Sequence, residues 1–505
     1  MFNTFKTYSQ NHGGRAILLF LLFSLALYQF YNSGFSTFAM VCMAPFAILF
    51  VYVAFTYKMV TFWMLFVINY FLQWHNFSWP FPTSLPNEML ELLLLAIAIV
   101  DARETPQFQR AVNPMLLALI IWCGFCTLEV MNDSCHLGIN VGAWYSGARL
   151  IAFQLLYIYL VFCIYISSPE IIMKYLKIWA AIALFSAIWT WKQQHIGFTV
   201  AENAWLQGRG SSTHILQAGT LTRYFSTFSD AANYGCNAAA TGVAFLIFAI
   251  TTTERKYKIF FFIVALLVII NMFASGTRTA IFCLFGGFAI YIVLSKSFKI
   301  AIPAAIAGAF FMFILVFTTI GDGNQQIRRM RSAFNKNDAS ATVRDLNKQA
   351  IKKYINDAPW GIGLGMGNNN VPANNKFYLL ANVAPDSEYV FIWIRTGAIG
   401  ITVFIVTMLM MLIGACYIVF FKLKNRSLIG IGAGFCCAFV AIQLGGYANQ
   451  VLLQYPNALL FYGGLTIVYL LPYIEPEWIE YENKRRAEQE EKKRLKLEKK
   501  LASRV

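Results

Sequence analysis

The chain is 505 residues long, with 58% hydrophobic residues, only 13% charged ones and a formal net charge of +16. Soluble globular domains carry about half apolar and about a quarter charged residues, so this composition excludes one and makes the bilayer the solvent. Hydrocarbon admits only helices or closed barrels, because every backbone polar group must be satisfied within the structure.

The apolar runs are continuous, as in Ile259 to Phe273 and Ile401 to Phe421, where barrel strands would be shorter and alternate. The fold class read from them is all-α, a polytopic integral membrane protein. The first run, Ala16 to Tyr31, follows Lys6 and Arg15, but no small-residue cleavage site comes after it, and it reads as an uncleaved first span. Windows long enough to cross a hydrocarbon core predict about fourteen transmembrane helices. They begin near Ala16, Ser36, Met59, Glu88, Val112, Ile151, Tyr175, Tyr234, Ile259, Thr279, Lys299, Ile394, Ser427 and Asn457.

Lysine and arginine in alternate connections, among them Lys58, Arg110, Lys174, Arg255, Lys296 and Lys424, put both termini in the cytoplasm by the positive-inside rule. The predicted organisation is membrane helices over 1–233 with an outer loop at 193–233, core membrane helices over 234–475 with a large outer loop at 321–388, and a charged cytoplasmic tail over 476–505. Bases and acids nearly balance in that tail. It reads as a solvated helix, with attraction to anionic lipid as the alternative. The ten cysteines lie mostly within spans, and Cys135 beside His136 is the only polar setting, so neither a metal site nor a disulfide framework is indicated.

Three outer segments are too long and polar to be plain connections: Asn132 to Gly147, Gln193 to Asn233, and Gly321 to Glu388. In the last, Thr342 with Asp345 has a capping-box pattern, and Val343, Leu346, Ala350 and Tyr354 recur at helical spacing. A helix of about four turns is predicted to run to Asn356, ended by Pro359 and Trp360.

The net charge exceeds what the tail supplies. Much of the surplus obeys the positive-inside rule, but Arg149, Arg209, Arg223, Arg278, Arg328, Arg329, Arg331, Arg344 and Arg395 fall on the outer side. Guanidinium suits bidentate binding of phosphate or carboxylate, so this set predicts an anionic ligand. In Ser275, Gly276, Thr277 and Arg278 a tight polar turn opens a span from the outer face, where a cation at the positive end of the helix dipole is misplaced unless an anion binds. The plain alternative is that Arg278 snorkels to lipid phosphates. Arg344 stands in the first turn of the loop helix and repeats the argument, with pairing to a neighbouring carboxylate as its alternative.

Arg223 precedes another outward-starting span, whose cap is Asp230 or Ser229. Asp386, Ser387 and Glu388 open the next span inward, with Tyr389 and Trp393 beneath. Asp386 alone reads as an N-cap, but two carboxylates at the rim of an arginine-lined pocket can deprotonate an acceptor hydroxyl. The run Gly361, Gly363, Gly365 and Gly367 lacks the strand and Lys-Ser ending of a nucleotide loop, and suits a hinge or a backbone passing close to a sugar or lipid. Neither a nucleotide cofactor nor nucleic acid is expected.

In this order and on this side, Arg223 with Ser229-Asp230-Ala-Ala-Asn, Ser275-Gly-Thr-Arg278, the loop with Arg344 and Pro359-Trp-Gly-Ile-Gly-Leu-Gly, Asp386-Ser-Glu-Tyr389 and Gly397-Ala-Ile-Gly resemble the O-antigen ligase and polymerase superfamily over about Thr220 to Leu412. The resemblance implies a GT-C-like, metal-independent glycosyltransferase without cofactor in the bacterial inner membrane. It would take glycan from undecaprenyl diphosphate to a lipid A core, glycan or protein acceptor. Arg278, Arg344 and Asp386 inherit catalytic positions, with Arg223, Asp230, Ser275, Thr277, Glu388 and Tyr389 around the substrate. Asp386 stands where that family typically has a histidine. A transporter or flippase for lipid-linked glycan or another anion is the alternative, and it would hold its charges near the midplane instead of at helix ends.

Overall fold

The computed structural model describes residues 13–77, 84–101, 107–216, 221–296, 298–332, 339–367, 370–383 and 386–502. In chain order the helices are α1 (Gly13–Thr56), α2 (Lys58–Phe71), α3 (Leu85–Val100), α4 (Pro114–Leu128), α5 (Val141–Ala148), α6 (Gln154–Tyr165), α7 (Pro169–His195), α8 (Val200–Gln207), α9 (Ser211–His214), α10 (Ala231–Thr251), α11 (Arg255–Ala274), α12 (Thr279–Leu294) and α13 (Phe298–Phe317). There follow α14 (Gln325–Arg331), α15 (Ala339–Ile355), α16 (Tyr378–Asn382), α17 (Glu388–Tyr417), α18 (Arg426–Gly446) and α19 (Gly463–Ala502). The described strands are a two-residue antiparallel pair, Ile215–Leu216 with Leu221–Thr222.

Eight described helices are long and apolar enough to cross a membrane, or nine with one broken pair counted. The all-α expectation therefore holds, while the fourteen spans of the sequence reading are more than this measure supports. Part of the difference is length: α3 and α12 have 16 residues each, about 24 Å of helix, less than a hydrocarbon core of about 30 Å.

Residues 1–63 form one compact unit and 64–505 a second. In the first, α1 runs 44 residues with Pro45 inside it. In the second, α10 is the central element. Its window is 89% buried, against 33% for α11, and it packs on α11, α12 and α18. Small residues allow this: Gly235 and Gly242 of α10 lie against the Ser275–Thr277 turn and Ile269 of α11, and Gly430 and Gly434 of α18 lie against Thr251 and Phe248 of α10. On α11, Ile259, Phe262, Ile263, Leu266 and Ile270 recur at helical spacing and are exposed, an apolar face that suits lipid and not water.

Polar groups inside this bundle pair with one another. The Asn237 amide donates to Asn457 Oδ1 (2.7 Å) and Asn457 donates to Asn233 Oδ1 (2.6 Å) and to the Val451 carbonyl (2.7 Å). The segment 447–457 between α18 and the last helix is thereby pinned to α10. At the other end of α19, Arg485 pairs with Glu254 (3.2 Å) and donates to Tyr257 (3.1 Å), while Glu482 accepts from Ser427 (2.6 Å). The tail is thus docked in its first turns and exposed beyond them.

The backbone of the glycine-rich loop passes close to other protein backbone. α17 breaks at Gly397, with φ 67° and ψ −167°, and the amides of Ile362 and Gly363 donate to the carbonyls of Ile394 (2.9 Å) and Arg395 (3.0 Å) just before that break. A Cβ on Gly397 would collide with the Pro359 carbonyl and one on Gly365 with that of Ala143. Gly365→Ala and Gly397→Ala are each expected to destabilise the protein by at least about 1–2 kcal/mol from the left-handed backbone alone, before the collision is added. Gly367→Ala, whose Cβ meets only Arg395 Nη2 at 3.7 Å, is expected to leave stability unchanged. Apparent Tm in detergent checks the contrast.

Candidate functional site

The polar turn between α11 and α12 is built from its own side chains. Ser275 Oγ donates to the Met272 carbonyl (2.7 Å) and accepts from the Thr277 amide (3.1 Å), and Thr277 Oγ1 donates to the Ala231 carbonyl at the start of α10 (2.7 Å). Both hydroxyls are buried. They act on the protein, shaping the turn. Arg278 occupies the N-cap position of α12 without a side-chain cap, and its Nη1 donates to Ser332 Oγ (3.3 Å).

Two further arginines close over this turn. Arg223 donates from Nε to the Ser275 carbonyl (3.1 Å), from Nη1 to the Thr213 carbonyl (3.0 Å) and from Nη2 to Thr277 Oγ1 (3.0 Å). Arg329, at the end of α14, donates from Nε to the Gly276 carbonyl (2.8 Å). A Cβ on Gly276 would lie 3.3 Å from Arg329 Cδ and 3.4 Å from Arg223 Cγ. Two positive side chains from separate segments therefore reach a turn that ends on a third, Arg278. Arg329 was one of nine arginines in the sequence reading, and nothing local distinguished it.

The remaining arginines are dispersed. Arg149 pairs with Glu88 (2.9 Å), Arg331 pairs with Asp322, and Arg395 lies over the Phe391 ring (5.5 Å) beneath the glycine loop. Arg209 and Arg328 are exposed. The backbone of Arg344 is helical, but its side chain lies outside the described residues. The helix there starts at Ala339, so the capping-box reading of Thr342 and Asp345 does not hold.

Asp230 caps α10, its Oδ1 accepting from the amides of Ala232 (2.8 Å) and Asn233 (2.9 Å). The Ala231 amide donates instead to His214 Nε2 (2.9 Å). That bond requires an unprotonated Nε2, and burial, reinforced by the Arg223 charge, pushes the His214 pKa down to about 4. Burial likewise lowers that of His75, which hydrogen-bonds the Ser229 carbonyl (3.0 Å).

At the head of α17, Asp386 is exposed and accepts from Asn347 on α15 (3.2 Å). Ser387, not Asp386, is the N-cap residue, and its hydroxyl donates to the Gly446 carbonyl (3.1 Å). Glu388 is buried and accepts from the Leu452 amide (3.2 Å), and Tyr389 donates to Gln443 Oε1 (2.8 Å). Beside them is an open cavity of about 200 Å³ lined by Lys348, Ser387, Tyr389, Val390, Trp393, Ile401 and Tyr447. The Lys348 ammonium lies over the Tyr447 ring (5.3 Å). Two residues on, Asn449 donates to Thr279 Oγ1 (3.1 Å), so one short segment links the cavity to the arginine turn.

Sequence reasoning missed Lys348, Tyr447 and Asn449. Lys348 was detectable, since it follows Arg344 by four residues on the same face of α15. Tyr447 and Asn449 left no such trace.

Residues 263–405 match the profile of a family described as O-antigen ligase. Over that stretch, somewhat more than a quarter of its length, the chain is similar to the O-antigen ligase family. No curated protein matches the sequence. The matched stretch runs from α11 through the arginine turn and the glycine loop to α17, whereas Arg223, Asp230 and the 447–457 segment lie outside it.

The depressed His214 pKa has a consequence for stability. The unfolded chain binds a proton near pH 6.5 and the folded one only near 4, so stability is full above about pH 6.5 and is lost as pH falls toward 4. His214→Ala is expected to lower Tm at pH 7 and to flatten its decline over that window, measured by thermal melts of both proteins.

Proposed function

We propose that the protein is an inverting glycosyltransferase that moves a glycan from undecaprenyl diphosphate to an acceptor hydroxyl at the periplasmic face of the inner membrane. The observation that carries this reading is the convergence of Arg223, Arg278 and Arg329 on the Ser275–Arg278 turn. Such a cluster suits a diphosphate, whose charge grows on the leaving oxygen as the glycosidic bond breaks.

In the proposed reaction the acceptor oxygen attacks the anomeric carbon. The bond from that carbon to the phosphate oxygen breaks, and undecaprenyl diphosphate departs with the bonding pair. Arg278 and Arg329 neutralise it, together with Arg344, a turn before Lys348 on the same face of α15. Arg223 spends its N–H groups on the turn and therefore positions the others. No metal ion is required, because guanidinium groups take the charge.

Asp386 is assigned to receive or orient the acceptor proton, as the exposed carboxylate beside the cavity. Glu388 is buried and accepts from the Leu452 amide, a fixed setting that suits a positioning role. Asp230, Ser275 and Thr277 belong with it as supports of the substrate site, and Tyr389 lines the cavity where the acceptor enters.

Arg278→Ala and Arg329→Ala are each expected to slow transfer by about 10²- to 10³-fold, the loss typical of one preorganised donor to a developing oxyanion. Arg328→Ala, outside the cluster, should leave it unchanged. The readout is the surface-glycan ladder on a gel, with membrane expression confirmed for each variant; unaltered ladders from Arg278→Ala and Arg329→Ala would overturn the assignment. Deleting the gene separates acceptors: single repeats left on the acceptor mark a polymerase, and long chains stranded on the carrier lipid mark a ligase.

A further inference from the structure

Away from the arginine turn, α2 and α3 enclose a second set of polar side chains that the transfer reaction does not use. The Asn69 amide donates to Asn87 Oδ1 (2.7 Å), and the Asn87 amide donates to Glu91 Oε1 (2.6 Å). Glu88 is three residues before Glu91 on the same helical face, and the two carboxylates are close enough for their charges to interact. Asn69, Asn87 and Glu91 are fully buried and Glu88 is 6% exposed.

Two imbalances stand out. The first is in hydrogen bonding: Asn69 Oδ1, Glu88 Oε1 and Glu91 Oε2 are buried acceptors with no partner among the described residues. The second is in charge. Glu88 Oε2 pairs with Arg149 (2.9 Å), which leaves two carboxylates against one guanidinium and the cluster one positive charge short. A buried charge without compensation is unstable.

We propose that Asn69, Asn87, Glu88 and Glu91 form a binding site for one alkali metal cation. A proton on Glu91 would cancel the charge, but it supplies a single donor to three unpartnered acceptors. A metal cation coordinates several oxygens at once and satisfies both imbalances. A divalent ion would overshoot a deficit of one charge, and among the described residues no three His, Cys, Asp or Glu side chains gather as its ligands. The site is linked to the segment that holds the head of α17: Arg149, the partner of Glu88, lies five residues before Gln154, which donates to the Tyr455 hydroxyl (2.6 Å). An ion there would brace that segment. The inference does not depend on the proposed glycosyl transfer.

The test uses the full chain in detergent at constant ionic strength, with Na⁺ or K⁺ exchanged for N-methylglucamine. Raising the metal cation from about 0.1 to about 100 mM is expected to raise apparent Tm by several degrees and to saturate, as a ligand bound only by the folded state does. Radioactive Na⁺ should bind at one ion per chain, and Glu91→Gln should abolish both effects. A Tm indifferent to both cations would overturn the proposal, whether it rises on acidification, marking a protonated Glu91, or stays flat. Should Glu91→Gln fail to accumulate, Na⁺ binding by the unaltered chain decides the matter.

Discussion

The arrangement around the turn between α11 and α12 depends on one interaction, the three-way grip of Arg223 on Ser275, Thr277 and Thr213. It joins the 193–233 segment to the membrane bundle and fixes a loop whose backbone would otherwise be free to choose among turns. With the turn held, Arg278 is presented at the head of α12 and Arg329 reaches the Gly276 carbonyl. Like charges so close are unfavourable by themselves.

A second constraint is that polar groups within an apolar bundle must find partners there. The chain from Asn237 through Asn457 to Asn233 meets it, and in doing so carries the 447–457 segment into the core beside Glu388. The capping of α10 by Asp230 and His214 works toward the same end. These contacts put the head of α17, the cavity and the arginine turn in fixed relation, through residues that a search for catalytic groups would pass over.

The glycine-rich loop shows why composition misleads about role. Four glycines in seven residues suggest freedom, yet the loop is pinned by two backbone hydrogen bonds to the carbonyls freed where α17 breaks at Gly397. Glycine is needed there because backbone meets backbone with no room for a Cβ. The nine outer arginines make the same point. Arg149 and Arg278 look alike in the sequence, and only the position of Glu88, on a helix far away in the chain, separates an internal ion pair from a member of the cluster.

What the sequence determined by itself was everything set by local pattern. Continuous apolar runs dictate membrane helices, the Ser-Gly-Thr-Arg turn marks a charge at a helix start, helical spacing finds α15, and the cap of α10 is narrowed to Ser229 or Asp230 because capping involves neighbours in the chain. What only the tertiary structure decided was which distant residues meet: that Arg223 and Arg329 join Arg278, that Asn449 and Tyr447 border the site, and that Asn69 bonds Asn87. The physical reason is that helix formation is governed by contacts within a few residues, whereas a binding site is governed by packing between segments well separated in the chain, and that packing leaves no periodic trace in any one of them.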